Sequence, residues 1–167
     1  LVFVASRTLA DLLFDKLEAY YGESIGVIHS NKAQNFRFNT VQQFQSAEIS
    51  ILIATDLIAR GIDVTDVSHV INFDLPDSPE NYIHRIGRTG RADAFGEAVT
   101  FVAPEDQVKF KKIEMLIQQD VDKLAVGENY GAVPEYNPVM KGKSGGKPRH
   151  GGNHGGGGKR NFKPKYH

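Results

Sequence analysis

The chain has 167 residues, enough for one ordinary domain of about 100 to 150 residues with some chain to spare, and a formal net charge of zero. That zero hides a split. All twenty acidic residues lie at or before Glu135, while eight of the twenty Lys and Arg lie from Lys141 onward, so the first 140 residues are about eight charges negative and the rest eight positive. Without a cysteine there is no disulfide framework, zinc–thiolate site or thiol nucleophile, which suits a reducing compartment such as the cytoplasm. No apolar run approaches the roughly 18 residues of a membrane span, and no charged-then-apolar leader is present.

In chain order, "LVFVAS" (1–6) is an apolar run of strand length, and its position at the start, without a methionine, suggests a fragment of something longer. "TLADLLFDKLEAYYG" then spaces Leu9, Leu12, Leu13 and Leu17 at helical intervals and stops at Gly22. "IGVIH" predicts a second strand, "AQNFRFNTVQQF" a helix, "ISILIAT" (49–55) a third strand and "VSHVINF" a fourth. "SPENYIHRIGRTG" predicts a helix, "EAVTFV" a last strand, and "PEDQVKFKKIEMLIQQ" a helix with acidic residues in its first turn, where the dipole favours them. Apolar, β-branched strands alternating with helices imply a mostly parallel sheet covered on both faces, with ligands outside the carboxyl ends of its strands. From Val126 the pattern dissolves. "KGKSGGKPRHGGNHGGGGKRNFKPKYH" is Gly-rich and basic and cannot bury a core, so the expected division is a folded domain over 1–125 and a disordered Gly/Lys/Arg-rich tail over 126–167. The tail reads either as a solubilising linker or as a polycation attracted to phosphate, with Phe162 and Tyr166 available for stacking.

Three stretches carry chemistry. In "YIHRIGRTGRAD", Ser78 is the expected N-cap, Pro79 the first helical residue and Gly90 the stop. At about 100° per residue, Tyr82, Ile83 and Ile86 share one arc and Asn81, His84, Arg85 and Arg88 the opposite one, with Arg91 in the turn beyond. Arg88 and Arg91 could merely complement the helix dipole. The distribution of basic residues argues for more. The core arginines, at 7, 37, 60, 85, 88 and 91, sit at strand ends, loops or helix tips, whereas Lys109, Lys111 and Lys112 decorate one helix as a solvated face. A rigid, permanently charged guanidinium suits bidentate phosphate contact. "ATDLIARGID" places Thr55, Asp56, Arg60, Gly61 and Asp63 directly after the third strand, either as a binding loop or as a polar connection with Asp63 as a cap. "HSNKAQNFR" brings Gln34 and Arg37 one turn apart at a helix start, where backbone amides favour phosphate, although a solvated helix face would look the same.

Together "LVFVASR", "HSNKAQNFR", "ATDLIARGID", "VINFDLP" and "YIHRIGRTGRA" resemble, in order and spacing, motifs IV, IVa, V, Vb and VI of the DEAD-box ATP-dependent RNA helicases, over about residues 1–120. His84 supports this branch, since related helicase groups usually carry Gln there, and the tail resembles that of the bacterial RhlE-like group. The resemblance implies a RecA-like three-layer second domain. It implies Arg88 and Arg91 as arginine fingers on the γ-phosphate, Gly61 and Asp63 at the nucleotide with Asp63 on the ribose, and His84 coupling to the first domain. Ser6, Gln34, Arg37, Thr55 and Arg60 would face RNA through its phosphates and sugars, and Arg85 would brace the motif internally. Ser30, where the family usually has Gly, and Ile58, where Ala is common, depart from the pattern. The chain contains neither a G-x-x-x-x-G-K-[ST] loop nor a D-E-A-D stretch, so ATP with Mg2+ would be held by an N-terminal RecA-like domain of the same protein, and the chain alone would be inactive. The alternative is a non-enzymatic RNA-binding or annealing module with the same fold.

Overall fold

The computed structural model describes residues 1–56, 64–65, 67–89, 96–124 and 134–139. Its elements are β1 (Val2–Val4), α1 (Arg7–Tyr21), β2 (Ile25–Ile28), α2 (Gln34–Gln45), β3 (Ile51–Thr55), β4 (His69–Asn72), α3 (Pro79–Ile86), β5 (Glu97–Thr100) and α4 (Gln107–Ile117). Single 3-10 turns occupy Gly22–Ser24 and Pro104–Asp106.

The five strands form one sheet in the order β2-β3-β1-β4-β5, every neighbouring pair parallel. Register follows side-chain alternation: Val2 stands beside both Ile53 and Ile71, and Val27 beside Ile53. These residues face α1, where Val2, Val4, Ile25, Val27 and Ile53 pack with Leu9, Ala10, Leu13 and Leu17. Their alternates Phe3, Ile28, Leu52, Ala54 and Val70 face the other way, onto Val41 and Phe44 of α2. A third cluster of Leu75, Tyr82, Phe110 and Ile113 joins α3 to α4. The result is the three-layer RecA-like arrangement expected from the sequence, with a fully parallel sheet among the described residues.

Local chemistry sets most boundaries. Ser6 caps α1, its hydroxyl accepting from the Leu9 amide at 3.2 Å, and Gly22 ends it at φ 54°, a left-handed value that glycine adopts without strain. Gly26 permits close packing of β2, since a Cβ there would lie 2.6 Å from Ile49 Cδ1 and 2.7 Å from Thr40 Cγ2. Ser78 accepts from the Asn81 amide at 3.3 Å, with Pro79 in the first turn, as expected for the start of α3.

Several expectations need correction. α3 ends at Ile86 with Gly87 as its cap at φ −66°, not at Gly90, which lies outside the described residues. The Thr89 amide and hydroxyl both bind the Ile86 carbonyl, at 3.0 and 2.8 Å, and turn the chain so that Thr89 bridges to Val67. The expected continuous helix from Pro104 splits into a 3-10 turn and α4, which ends at Ile117 because Gln118 takes φ 54°. The lysines of α4 are not simply a solvated face: Lys109 donates to the Leu75 carbonyl at 3.2 Å and Lys111 to Asp120 at 2.8 Å. Part of the segment assigned to the tail is held by the core. Gln107 donates to the Glu135 carbonyl at 2.9 Å and accepts from the Asn137 amide at 2.8 Å, and the Tyr136 ring meets Phe110 edge-on at 6.1 Å.

This docking centres on Glu114, buried on α4. It accepts from Lys123, from the Val121 amide at 3.0 Å and from Tyr136 Oη at 3.0 Å, and pairs with Lys111 at 3.2 Å. Burial alone would raise its pKa, but Lys123, the Val121 amide, Tyr136 and Lys111 outweigh it and hold the carboxyl down to about 2. Burial and the same carboxylate push the Tyr136 phenol up to about 12.

Candidate nucleotide and RNA site

Because all described strands run parallel, their carboxyl ends share one edge of the sheet, and the segments leaving that edge carry the candidate residues. Ser6 follows β1, Thr55 closes β3 with Asp56 next, and the loop after β2 leads into Gln34 at the start of α2. β4 leads into Asp74 and then α3, which supplies His84 and Arg85.

Arg85 is the centre of this edge, and its placement corrects the expected helix face. Tyr82 and Arg85 are the buried residues of α3, while Ile83 is 41% exposed. A guanidinium is buried only if its charge and donors are met. Here Nε and Nη2 donate to the two carboxylate oxygens of Asp56, both at 2.7 Å, a bidentate fork. Nη1 donates to the Asp74 carbonyl at 2.7 Å and to Asn72 Oδ1 at 3.2 Å. The guanidinium carbon also lies 4.9 Å from the centre of the Phe3 ring. Asn72 passes the network to Thr100 at 3.1 Å, and the Asp74 carboxylate accepts from the Ala5 amide at 2.9 Å, beside Ser6. One side chain thus ties together the ends of β1, β3 and β4, bracing "HRIGR" internally as the resemblance implied.

Arg88 lies past the end of α3 and is half-buried. Among the described residues its guanidinium makes one hydrogen bond, a 3.4 Å contact from Nη1 to the Val64 carbonyl, while its own carbonyl accepts from the Val67 amide at 3.2 Å. The backbone is therefore fixed, and most side-chain donors have no partner among the described residues. His84 is exposed on the outer face of α3, and Thr55 is buried at the strand end with 7% exposure. Arg60, Gly61, Asp63 and Arg91 lie outside the described residues, as does Ile58.

At α2 the cap residue is Ala33, which offers no side-chain acceptor to the first-turn amides. Gln34 is exposed and Arg37 half-buried, with its Nε enclosed and without a hydrogen-bond partner. The approach to this helix is held by residues that sequence patterning passed over. His29, 2% exposed, pairs through Nε2 with Asp11 at 2.9 Å, and its Nδ1 accepts from the Asn31 amide at 3.3 Å. Lys32 reaches the same Asp11 at 3.0 Å, and Arg7 donates to Asn31. Hydrogen bonding to His29 and then to Lys32 lowers the Asp11 pKa. Ser30, which replaces the usual glycine, is exposed in this braced turn.

Residues 1–93 match the family profile described as the helicase conserved C-terminal domain. The chain belongs to this helicase family. Its DEAD-box character comes from its relatives. It is 48% identical over 119 residues to the probable ATP-dependent RNA helicase DDX52 of Bos taurus, covering 71% of this chain and 20% of that protein. It is 39% identical over 126 residues to the DEAD-box ATP-dependent RNA helicase CshA of Bacillus cereus, covering 74% of this chain and 23% of that one. Among solved structures it resembles a DEAD box protein from the hyperthermophile Methanococcus jannaschii, with TM-score 0.68 and 39% identity over 74% of this chain and 34% of the other. It also resembles the C-terminal domain of the DEAD-box protein Dbp5, with TM-score 0.64 and 34% identity over 70% of this chain and 68% of that domain. The chain is thus a DEAD-box helicase C-terminal domain that spans about a fifth of its curated relatives, which are 20% and 23% covered.

Besides His29 and Asp11, Asn72 and Phe3, which hold Arg85, are supports that sequence reasoning missed. The available signal for Asn72 was a lone amide within the apolar run "VINF", which only a partner such as Arg85 could satisfy. Phe3 gave no signal beyond its place in an apolar strand.

Proposed function

We propose that this chain is the C-terminal half of an ATP-dependent RNA helicase of the cytoplasm. It grips one RNA strand by its backbone through Ser6, Gln34, Arg37, Thr55 and Arg60 and brings Arg88 and Arg91 to the γ-phosphate of ATP held by an N-terminal RecA-like domain. Gly61 and Asp63 complete the nucleotide site on this side, and His84 transmits closure between the domains. The observation that carries the reading is the contrast within "HRIGR". Arg85 is spent on Asp56, Asn72 and Asp74, whereas Arg88 is held by its backbone and keeps donors free of described partners. That suits a charge presented to a ligand that arrives from outside.

ATP is the substrate, and its Mg2+ belongs with the other domain. Among the described residues no group of three or more His, Asp or Glu could hold a metal ion, so no step on this chain is assigned to it. This chain's part is to position phosphate-facing arginines and to bind RNA. Tail residues from Lys141 onward, eight positive and none negative, would supply long-range attraction to RNA that the acidic core does not. The likeness to the RhlE-like group rests on this tail composition.

The test is RNA-stimulated ATP hydrolysis. The chain alone is expected to show none, and the protein containing both domains to turn over ATP when RNA is added. Turnover by the isolated chain, with contaminating ATPase excluded, would sink the half-site account. RNA binding without hydrolysis by the longer protein would favour the annealing module. Removing residues 141–167 is expected to flatten the salt dependence of RNA binding, each lost phosphate contact taking about 0.7 from the log–log slope.

A further inference from the structure

The stretch around α2 differs in charge from the domain as a whole. Between Glu23 and Glu48 the sequence contains no Asp or Glu, although the first 140 residues are strongly acidic. Within α2 itself the only charged residue is Arg37. The helix buries Thr40 and Val41 and packs Phe44 against the core, so its apolar needs are met on that side. Yet it also carries Phe36 at 48% and Phe38 at 62% exposure.

Helical geometry relates these rings to Arg37 and Gln34. At 3.6 residues per turn, Phe36 and Phe38 fall on opposite flanks of Arg37, and Phe38 lies one turn below Gln34 on the same face. Long side chains on a helix lean toward its amino terminus. That tendency relates Phe38 to Gln34 and the uncapped first turn of α2, at the carboxyl edge of the sheet, next to Arg37 with its unpartnered Nε. A cationic anchor with an aromatic ring on either flank, on a helix without carboxylates, matches a strand of alternating phosphates and planar bases. A polyanion is not repelled there, and every base offers a face to stack on.

We propose that Phe38, supported by Phe36, is a base-stacking platform for single-stranded RNA, adding sequence-tolerant base contacts to a site that otherwise reads only the backbone. The proposal rests on the RNA-binding reading above. It assigns RNA bases, rather than a protein, as the occupant of this helix because of its charge: one arginine, no acid within the helix, and an open helix start.

The experiment compares the affinity of the whole chain for a short oligoadenylate and for an abasic oligoribonucleotide of equal length. Phe38→Leu keeps apolar bulk without a ring and is expected to weaken oligoadenylate binding by about 5- to 150-fold while leaving the abasic strand unaffected, with Phe36→Leu acting in the same sense. Phe38→Tyr should restore the preference for bases, and Leu12→Ala, an exposed apolar position on α1, should change nothing. Arg37→Met should weaken both oligomers together. Equal loss on both oligomers for Phe38→Leu, or no loss on either, overturns the stacking assignment and leaves the face to a protein partner. Failure of the unmodified chain to bind either oligomer would instead overturn the RNA-binding reading itself.

Discussion

Arg85 on α3 and Arg37 on α2 are both inward-leaning arginines on helices of the same sheet face, and they have opposite surroundings. Arg85 has a bidentate carboxylate, an amide oxygen, a carbonyl and an aromatic ring, and it is 2% exposed. Arg37 has an enclosed Nε with no partner. An ion whose donors are all met within the fold contributes to the fold. One whose donors are unmet is costly in the free protein and gains by binding an anion. Arg88 lies between them, with its backbone fixed and its side chain held by one long contact to a described residue. The contrast teaches that a run of arginines is divided into braces and contacts by what surrounds each one, not by spacing.

The largest effect should come where the division predicts a contact. Arg88→Lys in the protein with both domains keeps the charge but removes the fork, and ATP turnover should fall by about 10³- to 10⁵-fold, while RNA affinity changes little. Near-normal turnover would return Arg88 to complementing the end of α3. Arg85→Met tests the other class. It leaves the Asp56 carboxylate without its partner, and unfolding by denaturant should show a loss of about 3 kcal/mol, the low end for a buried pair because Asp56 keeps 29% exposure. A change under about 0.5 kcal/mol would make the network decorative.

Glu114 extends the comparison to a second buried ion that is fully compensated. Its pKa is lowered from 4.5 to about 2 in the folded chain, so its stabilisation is present above pH 4.5 and is lost as pH falls toward 2. A shift of this size corresponds to about 3 kcal/mol. Stability measured through that acid range should decline more steeply in the unmodified chain than in Glu114→Gln. Parallel curves would mean that the carboxylate does not hold the segment of Tyr136 in place. The smallest effect on stability is expected for Arg37→Met, neutral or slightly stabilising, within about 0.5 kcal/mol of the parent. Its effect should appear instead in RNA binding, as a salt slope lower by about 0.7.

The sequence by itself determined the elements and their order. Continuous β-branched runs alternating with helical patterns read as strands buried on both faces, Ser78 was legible as a helix cap and Gly22 as a helix stop, whereas Ser6 as the cap of α1 emerged only with the fold. It also placed Ser6, Gln34, Thr55, His84 and Arg88 in segments that leave one edge of a parallel sheet. Those inferences rest on interactions between residues a few positions apart. What the tertiary structure alone decided involves partners far away in the chain. Periodicity put Arg85 on a polar arc because it cannot count Asp56, 29 residues earlier, which makes burial of the guanidinium favourable. The lysines of α4 looked solvated until Leu75 and Asp120 came within reach. Residues 134–139 looked like tail until Gln107, Phe110 and Glu114 offered them an amide, a ring and a carboxylate. In each case the local pattern records what a side chain would cost to bury, and only the fold supplies the group that offsets the cost.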